Sequence, residues 1–249
     1  MEQHRFSRFE LLVGRAGLDR LAAASVAVFG LGGVGSFAVE ALARAGIGRL
    51  TLVDFDSVNI TNVNRQIHAL DGTIDCPKAE VMAERCRRIN PAAEIAEVRE
   101  FYLEENSETL LSPGFDYVLD CIDHITAKLH LIQSCKERDI PIISSMGAAN
   151  KLDPTRIAVA DLSATHRCRL ARIIRKNLRR RGITEGVKVV YSTEDFRPLS
   201  AGRRERAETT EAGYQDLRAP LGSSSFIPPI FGMTMAGEVI RALLEENRA

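Results

Sequence analysis

Four of six consecutive residues, Gly30-Leu31-Gly32-Gly33-Val34-Gly35, are glycine, and the run joins two segments of opposite character. Before it, Val26-Ala27-Val28-Phe29 is short, apolar and rich in β-branched residues; after it, Val34 to Ala45 has helical composition. Few folds accept a strand that turns into a helix through so much glycine. Gly30, Gly32 and Gly35 match the spacing G-x-G-x-x-G, in which the glycines permit a tight turn, close approach of phosphate to backbone, and packing of helix on strand. Phosphate can then rest on the free N–H groups at the helix start. A second strand, Leu50 to Val53, leads into Asp54-Phe55-Asp56, and Asp54 arrives about 20 residues past the loop, where a carboxylate accepts hydrogen bonds from ribose hydroxyls.

Strand and helix signals keep alternating. A helix begins near Pro77 and runs through Val81, Met82, Ala83 and Cys86 to Asn90-Pro91. Ile95–Val98, Tyr117–Asp120 and Pro141–Ser145 read as further strands, with a helix from Ala127 to Arg138 between the last two. This order predicts an α/β chain with a Rossmann-like, doubly wound, mostly parallel sheet. We expect one domain over 1–249, with a nucleotide-binding core at 1–147 and an extension at 148–249. In the extension, Arg156–Asp161 and Val187–Ser192 read as added strands flanking a basic helix at 164–181. Residues 198–219, rich in charge, Gly and Thr, read as a flexible loop, and Pro229 to Leu244 as a closing helix.

Composition removes several function classes. The formal net charge is zero, so any affinity for nucleic acid must come from local clustering. Met1-Glu2-Gln3-His4-Arg5 is charged and lacks the apolar stretch of a secretory signal. Phe226 to Leu244 is apolar but broken by Pro228, Pro229, Glu238 and Arg241, which suits a core helix rather than a membrane span. The five cysteines are odd in number and show no C-x-x-C spacing, which favours a reducing, cytoplasmic setting over a structural zinc site.

The glycine loop and Asp54 alone would suit a nicotinamide enzyme. The segment after the second strand changes that balance. Asn59, Asn62, Asn64, Arg65 and Gln66 lie in a stretch of turn composition, and Lys78 opens the next helix. Taken singly, Arg65 or Lys78 reads as a solvated surface charge. Together, at the carboxyl ends of strands where open α/β sheets bind ligands, two cations beside a glycine loop suit a triphosphate. Nucleotidyl transfer builds negative charge on the α-phosphate and on departing pyrophosphate, which Arg and Lys stabilise. Asp120 or Asp123 in Asp120-Cys121-Ile122-Asp123 ends a strand, where a carboxylate either caps a helix or holds Mg²⁺ against phosphate oxygens.

The series Arg5-Phe6-Ser7-Arg8, Gly30–Gly35, Asp54-Phe55-Asp56, Asn62-Val63-Asn64-Arg65-Gln66, Lys78 and Asp120–Asp123 resembles the ubiquitin-activating-enzyme superfamily, which includes the molybdopterin- and thiamine-pathway adenylyltransferases. Within it, Asn64-Arg65-Gln66-Ile67-His68-Ala69-Leu70, Lys78 to Arg85, Ile89-Asn90-Pro91, Gly147-Ala148-Ala149, Asp153-Pro154-Thr155 and Tyr191-Ser192-Thr193-Glu194 are similar to the tRNA threonylcarbamoyladenosine dehydratases. The resemblance implies ATP-dependent adenylation of a carboxylate, followed by closure of the threonylcarbamoyl side chain into a ring, on the adenosine just 3′ of the tRNA anticodon. It implies that Gly30, Gly32, Gly33 and Gly35 wrap the phosphates, Asp54 holds the ribose, and Arg65 and Lys78 clamp the triphosphate. Asp56, Asn62, Gln66 and Asp120 complete the expected nucleotide site, with Asp123 on the Mg²⁺ side. Arg8 matches an arginine that reaches the neighbouring subunit's ATP, which implies a homodimer. A sulfur-relay protein is a further partner that the resemblance leaves open.

Adenylyltransferases for ubiquitin-like sulfur-carrier proteins form the alternative reading, but they usually carry paired C-x-x-C motifs and a crossover-loop cysteine. Here only Cys168 follows residue 146, and Ser223-Ser224-Ser225 stands where some dehydratases have a cysteine, so no nucleophile is assigned. From Arg167 to Lys188 the chain carries nine cations against one acid, Glu185. Leu170, Ile174 and Leu178 form an apolar stripe on that helix, leaving Arg172, Arg175, Lys176, Arg179, Arg180 and Arg181 as candidates for binding tRNA phosphates.

Overall fold

In the computed structural model, which describes residues 3–197 and 221–245, one seven-stranded sheet runs in the order β3-β2-β1-β4-β5-β7-β6. The strands are β1 (Ser25–Phe29), β2 (Arg49–Val53), β3 (Glu94–Val98), β4 (Tyr117–Asp120), β5 (Ile142–Ser145), β6 (Ile157–Asp161) and β7 (Lys188–Ser192). All neighbours pair in parallel except β6, which runs antiparallel to β7 at the edge. The added strands thus continue the same sheet as the glycine-loop strand. Between β6 and β7 the chain passes through a basic helix that packs over the sheet face.

The helices are α1 (Ser7–Ala23), α2 (Gly35–Ala45), α3 (Lys78–Ile89), α4 (Ser107–Leu111), α5 (Ile125–Glu137), α6 (Arg169–Arg180) and α7 (Ile227–Glu245). Strand residues alternate between two cores because successive side chains point to opposite faces. Val26, Val28, Leu50, Leu52, Leu119 and Ile143 pack under α2, α3 and α7, whereas Ala27, Phe29, Val53, Val118 and Ile142 pack under α4, α5 and α6. Helix α7 is long and apolar enough to cross a membrane by composition alone. In the fold it lies along α2 and buries Ile227, Phe231, Met235, Ala236 and Val239, as a core helix does.

Two helices add to or depart from the sequence reading, which has no helix before β1. Helix α1 is interrupted at Gly14 (φ 72°), so its two halves change direction on the way to α7. Helix α6 begins at Arg169 rather than residue 164, because Leu162–Ala164 forms a separate 3₁₀ turn capped by Asp161. The loop expected at 198–219 lies outside the described residues.

The layers are also tied by charge. Glu40 on α2 is buried and takes hydrogen bonds from Arg44 Nε (2.7 Å) and from Arg85 Nε on α3 (2.6 Å). Burial pushes its carboxyl up, but the two guanidinium groups outweigh burial and hold it below the usual range.

Candidate active site

Strand order reverses between β1 and β4, and in open α/β sheets that switch point, at the carboxyl ends of the strands, is where ligands bind. The glycine loop leaves β1 there. Gly30 adopts φ 89°, and its N–H donates to Val53 O at 2.8 Å. A Cβ on Gly30 would lie 2.9 Å from the carbonyl of Cys121, and one on Gly35 would lie 1.8 Å from Gly30 O. The loop can therefore close against the β4 turn only with glycine at these positions. Gly32 has open space beside it, bounded at 4.0 Å by Gln66 Nε2, while Gly33 is flanked by the Arg65 stem and Pro228.

Asp54 follows β2 and is buried. Its Oδ2 accepts from Leu31 N (2.5 Å) and its Oδ1 from Asp56 N (2.9 Å), which fixes the carboxylate against the loop. Each oxygen keeps a lone pair for a further donor. Burial raises the Asp54 carboxyl above its ordinary value, partly offset by Lys78 and the two backbone donors. Lys78 opens α3, buried, with Nζ 2.8 Å from Asp56 Oδ2. Asp56 thus aims the ammonium group. Any contact it makes to nucleotide comes second to this pairing.

Arg65 is half-buried, and its Nη1 donates to Thr61 O and Asn64 Oδ1, both at 2.9 Å. Burial lowers its pKa, and attraction to Asp123 works against that shift. Arg65 and Asp123, far apart in sequence, are therefore close enough to interact electrostatically at the switch point. Asn62 turns inward: its Oδ1 accepts from Asn59 N (3.0 Å), capping the turn Ile60–Asn62 that carries Arg65. Gln66 is 5% exposed, and its Oε1 has no hydrogen-bond partner among the described residues, an acceptor held beside Gly32. Buried acceptors of this kind carry a cost unless a ligand or water satisfies them, so Gln66 fits a nucleotide site.

Asp120 departs from expectation. It is completely enclosed, with Oδ2 accepting from Lys128 Nζ (2.7 Å) and Ser144 Oγ (2.6 Å) and Oδ1 accepting from Ile122 N (3.1 Å). It faces away from solvent and into the layer beneath the site. Asp123, in contrast, is exposed on the turn. Lys128 and Ser144 carry no signal in the sequence that would place them here, and His68 stands out there only as part of the run Asn64–Leu70. His68 is 2% exposed with neither ring nitrogen hydrogen-bonded among the described residues, and burial, with Lys78 and Arg85 nearby, pushes it down to about 4. It is a neutral imidazole at physiological pH.

Neither Cys121 nor Cys168 offers an accessible nucleophile at this edge. Cys121 is pushed far up by burial. Cys168 is buried at the start of α6, where its Sγ accepts from Ala171 N at 3.5 Å. In the serine run, Ser224 Oγ caps α7 by accepting from Ile227 N (3.2 Å), and Asn64 Nδ2 donates to Ser223 O (3.0 Å). Arg8 is exposed on the first turn of α1.

The basic helix is sharper than its sequence suggested. Its buried stripe is Ala171, Ile174 and Leu178, with Leu170 only half-buried. Arg175 lies beside that stripe, and its Nη1 donates to Leu162 O (3.2 Å), Thr165 O (2.9 Å) and the Thr165 hydroxyl. It staples the chain between β6 and α6 through Nη1, an anchoring role that the sequence reading does not give it. Arg172, Lys176, Arg179, Arg180 and Arg181 point outward, the last with a hydrogen bond to Gln133 Oε1 (2.8 Å). Helix α6 starts beside Gly147, at the carboxyl end of β5, and descends alongside α5. Its 12 residues span about 18 Å at 1.5 Å each, so Arg179–Arg181 sit at the opposite edge from the glycine loop.

Comparison with known proteins matches this geometry. A ThiF family model matches residues 6–249. The tRNA threonylcarbamoyladenosine dehydratase of Bacillus subtilis is 47% identical over 98% of this chain and 96% of its own. Crystal structures of E. coli tRNA N6-threonylcarbamoyladenosine dehydratase, TcdA, in complex with AMP and with ATP superpose with TM-scores of 0.85 and 0.84, at 37% and 36% identity. Each covers 96% of this chain, with 94% and 93% of the E. coli chain covered in turn. The Salmonella typhimurium molybdopterin-synthase adenylyltransferase is 35% identical but matches only 71% of each chain. With a fold, a switch-point site and a similarity that all run nearly end to end, the chain belongs to the ThiF family, on the branch of the tRNA threonylcarbamoyladenosine dehydratases.

Proposed function

We propose that this protein uses ATP to cyclise the threonylcarbamoyl side chain of a modified adenosine next to the tRNA anticodon. The observation that carries the reading is the convergence of the glycine loop, Lys78, Arg65 and Asp123 at one switch point, in a chain similar along almost its whole length to named dehydratases. The threonyl carboxylate attacks the α-phosphorus of ATP, an oxygen–phosphorus bond forms, and pyrophosphate leaves. The ureido group of the same side chain then attacks the acyl carbon, the bond to AMP breaks, and one proton is lost. The substrate loses the elements of one water. Because the second attack is intramolecular, the protein has mainly to activate the carboxylate and exclude water.

In this reading, backbone N–H groups of the glycine loop and the start of α2 bind the phosphates, Asp54 takes the ribose, and Lys78 and Arg65 stabilise the charge that builds during transfer. Among the described residues no cluster of three or more His, Cys, Asp or Glu side chains is placed to hold a metal alone. That suits Mg²⁺, which takes one or two carboxylates and completes its shell with phosphate oxygens and water. Asp123 would hold it, and bound there it would neutralise charge on the triphosphate.

Leu11 and Leu12 are 69% and 82% exposed, on the helix that carries Arg8. Large apolar side chains left in solvent favour an interface. We assign this face to a homodimer in which Arg8 reaches the partner's nucleotide. All five cysteines are unpaired, in keeping with a cytoplasmic enzyme.

The test uses tRNA carrying the linear modification, with ATP, followed by mass spectrometry of the released nucleosides. We expect loss of one water from the modified adenosine, with one AMP formed per ring closed. Pyrophosphate exchange with a Gly-Gly-tailed carrier protein, without any change in the tRNA, would overturn the reading in favour of protein-tail activation.

The outward cations of α6 give a separate expectation. Substituting Arg172, Lys176, Arg179 and Arg180 with glutamine should weaken tRNA binding and flatten its salt dependence, by roughly 0.7 to 0.9 log units of slope for each phosphate left without its cation. Arg175→Gln should instead lower thermal stability. Filter binding across a salt series separates the two groups, and an unchanged slope removes α6 from the interface.

A further inference from the structure

We infer that Lys128 and Ser144 are positioning residues for carboxylate activation: with Asp120 they form a buried lock that fixes the turn presenting Asp123. This rests on the proposal that Asp123 serves the phosphates.

The lock joins three elements that meet beneath the site. Asp120 ends β4, Lys128 lies one turn inside α5, and Ser144 is on β5; all three are 0% exposed. Lys128 Nζ donates to Asp120 Oδ2 at 2.7 Å and to Ser144 Oγ at 3.1 Å, and Ser144 Oγ donates to the same Oδ2 at 2.6 Å. With Oδ2 so engaged, the carboxylate cannot rotate. Its Oδ1 is then directed at Ile122 N (3.1 Å), the second N–H of the turn. The first N–H, of Cys121, donates to Phe29 O on β1 at 2.8 Å. Both successive peptides are thereby pinned, and the next residue is Asp123. On the other side the turn abuts Gly30, whose absent Cβ leaves room for the Cys121 carbonyl.

A dry ion pair is a poor device for stability alone, since apolar residues of similar volume often do as well or better. What a saturated pair supplies is direction. Phosphoryl chemistry depends on placing groups to within fractions of an ångström, and a misplacement of about 1 Å can cost on the order of 100-fold in rate. Lys128 is a buried cation beside Ala127, Leu129, Leu131 and Ile132 on a helix that otherwise serves the core. Its ionic partner is Asp120, and both side chains of the pair are fully enclosed.

Substituting only Lys128 would leave Asp120 charged and enclosed, a strongly destabilising change that would mask any positioning effect. Two other variants avoid this. Ser144→Ala keeps the ion pair and removes one restraint on Oδ2. The double change Asp120→Asn with Lys128→Met removes both charges together and keeps an acceptor for Ile122 N. ATP–pyrophosphate exchange, driven by the modified tRNA, is measured in the wild type, both variants, Asp123→Asn, and Ser144→Ala combined with Asp123→Asn.

The expected result is a fall in kcat of about tenfold for Ser144→Ala and more for the double change, with KM for ATP within about twofold, as for interactions made only in the transition state. In the Asp123→Asn background, Ser144→Ala should cost almost nothing further, because the residue it positions is gone. Wild-type kcat in Ser144→Ala, or its full effect added on top of Asp123→Asn, overturns the inference and leaves the lock purely structural. Wild-type turnover in Asp123→Asn instead removes the reading of Asp123 itself, and the lock's purpose with it.

Discussion

Replacing Lys78 with alanine lowers the rate of ATP-dependent carboxylate activation by about two to three orders of magnitude, while the protein stays folded. The size follows from where the ammonium group sits. Lys78 is 5% exposed at the first position of α3, with its Nζ held 2.8 Å from Asp56. A charge already oriented in a site sheltered from water needs no reorganisation when negative charge develops on the phosphates. Removing one such preorganised donor typically costs about 10² to 10³ in kcat. Asp56, left behind, keeps access to solvent, and the buried Asp54 keeps its two backbone donors, so neither carboxylate is left without a partner. Pyrophosphate exchange reports the rate, and a thermal melt reports the fold. Lys78→Arg should not restore activity, because a planar fork does not fit a space shaped for a compact ammonium. Exchange within about threefold of wild type in Lys78→Ala, far short of the effect expected for a preorganised donor, would show that the lysine belongs to the Asp56 pair and not to the chemistry.

The second large effect lies in the last helix. Gly232→Ala should destabilise the protein by about 3 kcal/mol, an overpacking cost at the upper end of the usual range. A Cβ at this position would lie 2.1 Å from Val34 O and 2.9 Å from Ala38 N, both backbone atoms, so no side chain can swing aside. Relief requires α7 to move off α2, and Val34 belongs to the glycine loop. We therefore expect a melting temperature lower by roughly 6 to 12 °C for a chain of this size, together with weaker ATP binding. Gly237→Ala, on the same helix with nothing within 4 Å of its Cβ, is the control. It should be neutral or stabilising by up to about 1 kcal/mol, as alanine favours helix. Equal behaviour of the two alanine variants would mean that the loop tolerates displacement of α7.

Strands β1, β2 and β4 announce themselves in the sequence as short apolar runs, and the glycine spacing and Asp54 place the loop and its carboxylate partner. What sequence hides are relations between residues that meet only through the sheet. Asp120 and Asp123 look alike at a strand end, yet one is sealed by Lys128 and Ser144 and the other reaches solvent. No local pattern distinguishes them. Arg175 does leave a trace: it stands four residues after Ala171 and three before Leu178, beside the buried stripe, where a cation must find acceptors. Gly232 gives no signal, because a glycine inside an apolar helix can equally face open space, as Gly237 does.

The place of α7 also bears on how the protein is made. Phe231, Met235, Ala236 and Val239 complete the core that covers α2 and the first strands, and they come after all seven strands of the sheet in chain order. A growing chain that has produced the glycine loop, Lys78 and Asp123 still lacks the helix that holds the loop against the sheet. Until residues 227–245 leave the ribosome, that face presents bare apolar surface, of the kind chaperones hold and that aggregates when left alone. Nascent fragments ending before residue 227 should therefore bind holdase chaperones and fail to retain ATP, so nucleotide capture follows the synthesis of α7.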